Sequence, residues 1–165
     1  MSTTPYFDLT LTYEISKLFD ICKLKTLYGA SSQTNEAGAT QEQNFAITDN
    51  ERDVFDIILK DAASKVYDAL SQDTKIVENA FQYDVDGKIV YKMMVHGDWD
   101  KKQSFSVHTA AENSICDYVM KEWYKLRQNV SLFQSTEVNY NTHIAEVKNL
   151  LNRRIIPAKL TYRYV

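Results

Sequence analysis

Apolar and polar positions along the chain change period several times, and each change marks an element. Residues 6–12 alternate strictly, with Phe7, Leu9 and Leu11 on one side and Asp8, Thr10 and Thr12 on the other. That period of two predicts a half-buried strand. From Glu14 the spacing lengthens to three and four, through Ile15, Leu18, Phe19 and Cys22. This predicts an amphipathic helix to about Tyr28, with Gly29 as its C-cap.

Residues 30–44, ASSQTNEAGATQEQN, are small and polar and predict a loop. Such a length in a compact domain suits either a segment docked on a partner or a plain flexible connection.

Thr48-Asp49-Asn50-Glu51 then has the form of a capping box, in which the glutamate reaches back to the N-cap. The helix it opens carries Phe55, Ile58, Ala62, Val66 and Ala69 on one stripe and is predicted to run to about Ser71. Between residues 79 and 95, two alternating runs, NAFQYDV and KIVYKMMV, flank Asp86-Gly87. Both central residues of a tight hairpin turn need positive φ, which Asp-Gly supplies, so a β-hairpin is predicted here.

A long helix is expected from about Ser104 to Gln128, with Ala111, Ile115, Val119, Trp123 and Leu126 as its stripe. Tyr118 and Tyr124 widen that stripe and predict burial on more than one side. A last helix is expected from about Gln134 to Arg153, on Tyr140, Ile144, Val147 and Leu151. The short polar break around Asn129 and Ser131 makes these two helices antiparallel neighbours.

Pro157 cannot continue the helix and pushes Ile156 out of the helical region. Beyond it Leu160, Tyr162 and Tyr164 alternate with Thr161, Arg163 and Val165, which reads as an extended arm. The arm suits addition to a neighbour's sheet edge or folding back on its own domain.

The fold expected is therefore mainly α, of the α+β class. It is an antiparallel bundle of about three long helices with an inserted hairpin, an N-terminal strand and a C-terminal arm. Residues 1–165 make one domain, with the helical core over 46–154, the hairpin over 79–95 and the arm over 155–165.

Composition adds a bias in charge. The net charge is −3, but residues 148–165 hold five basic and no acidic side chains, against 14 basic and 22 acidic in residues 1–147. A basic tail on an acidic body suits a contact in which one copy's tail meets the next copy's body. It equally suits a solvated helix end, where Lys and Arg complement the dipole. The contact reading points to Arg153, Arg154, Lys159, Tyr162, Arg163 and Tyr164. Eleven tyrosines favour an interface too, because the ring joins apolar area to a polar tip.

Candidate chemistry is sparse. Cys22 and Cys116 lack a CxxC spacing and read as reduced core residues. His96, His108 and His143 have no His or Cys partner at metal-ligand spacing. Asp84 and Asp86 coincide with the hairpin turn, and Asp98 and Asp100 read as solvated loop acids rather than an acid–base pair. There is no GxGxxG, phosphate loop or GxSxG elbow. Neither a signal peptide nor a membrane span is expected, and no cofactor, metal or catalytic residue.

One order of elements carries a resemblance. A helix opening Thr48-Asp49-Asn50-Glu51 continues as RDVFDIILKDAASKVYDAL and is followed by the hairpin. Then come a helix ending AENSICDYVMKEWYKL and a last helix closing EVKNLLNRRIIP. Over residues 46–157 this resembles the small head-to-tail connector (adaptor) proteins of tailed bacteriophages, especially those of phages and prophages of Bacteroides-type bacteria.

The resemblance implies a non-enzymatic virion protein, found in the host cytoplasm during assembly. It would form a homo-oligomeric ring, typically of twelve copies, beneath the portal protein. That ring would bind tail or neck proteins and pass DNA without sequence preference. The residues also fit a small cytosolic adaptor or regulatory module that binds one protein partner.

Overall fold

The computed structural model describes residues 5–31 and 45–155. The chain is α+β and mainly helical. The first strand, β1 (Tyr6–Glu14), leads directly into α1 (Ile15–Ser31). A 3₁₀ turn over Asp49–Glu51 opens α2 (Arg52–Ser71), and β2 (Lys75–Val85) and β3 (Lys88–His96) form the hairpin. A second 3₁₀ turn, Lys101–Gln103, precedes α3 (Ser104–Leu126), and α4 (Val130–Leu151) follows after three residues.

The predicted stripes are the core. Ile15, Leu18, Phe19 and Cys22 of α1 are buried, as are all five predicted positions of α2. They meet Leu9, Leu11 and Tyr13 of β1, and Ile89, Tyr91, Met93 and Val95 of β3, the helix-facing side of the sheet. At the start of α2 the Glu51 carboxylate accepts from the Thr48 N–H at 3.0 Å and from the Thr48 hydroxyl at 2.8 Å. Asp86 (φ 53°) and Gly87 (φ 71°) take the two left-handed positions of the hairpin turn.

Three expectations differ from the structure for physical reasons, while the N-terminal strand forms as predicted. It pairs antiparallel with β3 from Tyr6↔His96 to Glu14↔Lys88, which makes a three-stranded sheet of order β1-β3-β2. Gly29 is no C-cap, because α1 continues to Ser31. A Cβ there would lie 2.7 Å from the Tyr124 hydroxyl, so this glycine allows the close approach of α1 to α3. Leu126 leaves the stripe of α3 and is 62% exposed at the helix end. The last helix starts four residues earlier than its apolar spacing suggests, because Asn129 caps it, its side chain accepting from the Leu132 N–H at 3.0 Å.

Of the predicted 30–44 loop, residues 32–44 lie outside the described residues. So does the arm beyond Ile155, and with it Lys159, Tyr162, Arg163 and Tyr164.

Candidate subunit interface

The α3/α4 hairpin holds the site. Gln128 (φ 55°) reverses the chain, and the Asn129 N–H donates to the Tyr124 carbonyl at 3.0 Å. The inner seam of the hairpin is polar as well as apolar. Asp117 is buried on α3, and its Oδ2 lies 2.6 Å from Nδ1 of His143 on α4. One turn along, Tyr118 and Tyr140 pack edge to face at 5.3 Å. The Tyr118 hydroxyl donates to Asp61 of α2 at 2.5 Å, and burial, then this carboxylate, pushes its pKa far above the usual tyrosine range. Val147, Leu150 and Leu151 complete the seam. These contacts fix which side of α4 looks outward.

That outward side is almost free of charge. Ser131, Gln134, Ser135, Val138, Asn139, Asn141, Thr142 and Ala145 are exposed, and the only carboxylate from Val130 to Ala145 is Glu137. A helix of 22 residues is about 33 Å long. Solvated helix faces ordinarily carry charged side chains, whereas interface cores are depleted of them. Val138, 64% exposed, stands in the middle of this face. Beside it a shallow groove of about 990 Å³ runs between α4 and the start of α3, over Ser106, Val138, Asn141, Thr142 and Asn149 to Arg153.

The groove ends where the chain leaves α4. The Trp99 indole donates to the Leu150 carbonyl at 2.9 Å, and Trp99 forms an antiparallel bridge with Arg154. The Arg154 guanidinium lies 3.0 Å from Asp98 Oδ1, which also sits 2.5 Å from His96 Nδ1. Arg153 donates to the Gln103 side chain at 3.2 Å and stays exposed at the mouth of the groove. Asp100 closes the turn. Hydrogen bonds from the Gln103 side chain and the Lys102 N–H hold its carboxyl below the usual range.

Of the six predicted contact residues, the structure thus describes two. Arg153 lines the groove, while Arg154 is half-buried and engaged within its own chain. The α4 face went unnoticed in the sequence because its apolar spacing marks only the buried side. The legible signal was the run from Val130 to Ala145 with a single carboxylate.

Elsewhere the titratable groups serve packing. His108 Nε2 lies 3.2 Å from the Thr12 carbonyl, and its ring sits 4.5 Å from that of Tyr13. Cys22 and Cys116 are free and fully buried. A hydrogen bond with Cys116, then burial, pushes the Cys22 thiol well above its usual range. Among the described residues no group of three or more His, Cys, Asp or Glu could hold a metal ion. No helix among them is long and apolar enough to cross a membrane. A second hollow, of about 580 Å³, lies between the hairpin turn and α2, where Asp56, Asp84 and Asp86 mix with Arg52, Lys60 and Lys88. Comparison with protein-family models, with curated proteins and with solved structures finds no match to this chain.

Proposed function

We propose that the chain is a virion structural subunit: a head-to-tail connector that assembles into a ring at the portal vertex, joins capsid to tail and continues the DNA channel. Its partners are then copies of itself, the portal protein and tail or neck proteins. Its place is the virion, and the host cytoplasm during assembly. The observation that carries this reading is the outward face of α4, which from Val130 to Ala145 carries one carboxylate, with Glu146 following at the groove. A face of that length costs little to desolvate, so it suits burial against a protein.

The order of elements over residues 46–157, which resembles the connectors, supplies the kind of assembly. A ring needs two different complementary surfaces on each copy. The α4 groove with Arg153 at its mouth is one, and the acidic remainder of the surface offers the other. Net negative charge over residues 1–147 also suits a channel through which DNA slides without sticking.

The test is assembly. Light scattering and negative-stain imaging of the full chain, alone at rising concentration and with a portal ring, are expected to show a closed ring of fixed copy number. Val138→Glu with Thr142→Lys is expected to leave the monomer's stability within about 0.5 kcal/mol, as exposed substitutions do, and to abolish the ring. A chain that stays monomeric under both conditions refutes the connector and favours an adaptor that uses the same face for one partner.

A further inference from the structure

The two edges of the sheet differ. β2 is broken by register shifts between Ile76 and Phe81 and between Gln82 and Val85, and Asn79 and Asp84 take positive φ within it. Bulges of this kind keep an edge from pairing with another chain. β1 has no such defence. Its register with β3 is unbroken over nine residues.

The Ile15 N–H donates to the Gly87 carbonyl, so the odd-numbered backbone groups of β1 face β3 and the even-numbered ones face outward. The Thr12 carbonyl is met by His108. The outward groups of Tyr6, Asp8 and Thr10 meet no partner among the described residues. Phe105, 79% exposed, lies on α3 three residues before His108 and thus on the same side of the helix, flanking this edge.

We infer that the free edge of β1 is the acceptor for the C-terminal segment, residues 158–165, of a neighbouring copy. This rests on the self-assembly proposed above and names the surface its arm would use. Three observations choose the occupant. Leu160, Tyr162 and Tyr164 alternate with Thr161, Arg163 and Val165, the period of a strand. The exposed face of β1 carries Asp8 and Glu14, the latter paired with Lys17 at 3.0 Å, and no basic residue of its own, whereas the segment carries Lys159 and Arg163 and no acidic one.

The third observation is reach. Ile155 donates to the Asp98 carbonyl at 2.8 Å, at the end of the sheet where β1 begins. Residues 156–165 span at most about 36 Å, and β1 about 30 Å. They cannot run the length of their own β1 and return, so their own edge is open to them only in parallel. A neighbour's edge can be met antiparallel, as every other pair in this sheet is.

The experiment mixes two variants of the full chain, Thr12→Cys and Thr161→Cys, with the double variant Thr12→Cys/Thr161→Cys run alone beside them, and adds a short bismaleimide at concentrations where the protein assembles. Cys22 and Cys116 are fully buried and stay silent. A cross-linked dimer in the mixture, lost when Thr10→Pro is added to the Thr12→Cys acceptor, is the expected result. Proline removes one outward N–H, which an edge strand tolerates, so circular dichroism should be unchanged. A cross-link formed only within a single chain of the double variant overturns the neighbour. No cross-link from Thr161→Cys, nor from Tyr162→Cys or Arg163→Cys put in its place, overturns the edge. If rings form with Thr10→Pro and with a chain ending at Arg154, the connector reading stands and the arm–edge contact falls. If no ring forms with any chain, the connector reading itself has failed.

Discussion

Removing His143 alone should cost more than removing it together with Asp117. Asp117 is buried on α3, its side chain only 4% exposed, and His143 of α4 is the one side chain seen to hydrogen-bond it. Leaving a buried carboxylate without its hydrogen-bond partner typically costs about 1–3 kcal/mol. His143 is itself 29% exposed, so water can reach the vacated side. His143→Leu should therefore lose roughly 2 kcal/mol. Replacing both, as Asp117→Leu with His143→Leu, leaves no orphaned charge and should fall within about 1 kcal/mol of the parent. Asp117→Leu alone leaves a part-exposed imidazole that water can serve and should also stay within about 1 kcal/mol, so the cycle gives a coupling of roughly 2 kcal/mol, within the range for contacting residues. Urea unfolding at neutral pH, read by far-ultraviolet circular dichroism, measures all four proteins. A single His143→Leu loss below about 0.5 kcal/mol, or losses that simply add, would refute the argument.

Tyr91→Phe removes a fully buried hydroxyl that donates to the Ala63 carbonyl at 2.9 Å, and should cost about 1 kcal/mol in the same assay. Gly87→Ala places a side chain at φ +71° with open space around it, so backbone strain alone acts and the loss should be about 1–2 kcal/mol with an unchanged urea slope. In alkali, burial raises Tyr83 and Tyr124 from 10.0 to about 12. Their stabilisation is complete below pH 10 and lost as pH climbs toward about 12, so Tyr83→Phe with Tyr124→Phe should flatten the fall in melting temperature over that window.

Local chemistry made most of the fold readable. The capping box at Thr48, the Asp86-Gly87 turn and the stripe from Phe55 to Ala69 each act within a few residues, so sequence alone places them. Pairing across long separations left no such mark. Nothing in the alternation of residues 6–12 names β3, about 80 residues away, as their partner. Gly29 misled for a related reason. A glycine near a helix end most often stops it, yet here the ring of Tyr124 nearly a hundred residues on requires the missing side chain. Arg153 and Arg154 stood out in sequence as a charged pair, and only the fold separates them, one at the mouth of the groove and the other turned to Asp98.

The distribution of charge ties these observations together. Lys and Glu cost a helix nothing on a solvated face and protect it from association, and α2 uses them freely at Asp53, Lys60, Asp61, Lys65 and Asp68. α4 has the same exposure and a similar length but replaces them with Ser, Gln, Asn, Thr and Ala. Neither helix propensity nor packing accounts for that exchange. Asn, Ser and Thr are poorer helix formers than Lys or Glu by several tenths of a kcal/mol per residue, and these side chains touch no core. From Val130 to Ala145 the sequence gives up helix stability along this face, and an exposed carboxylate returns only at Glu146. The proposed burial against protein would account for the loss, because an amide or hydroxyl leaves water at far less cost than an ammonium or carboxylate.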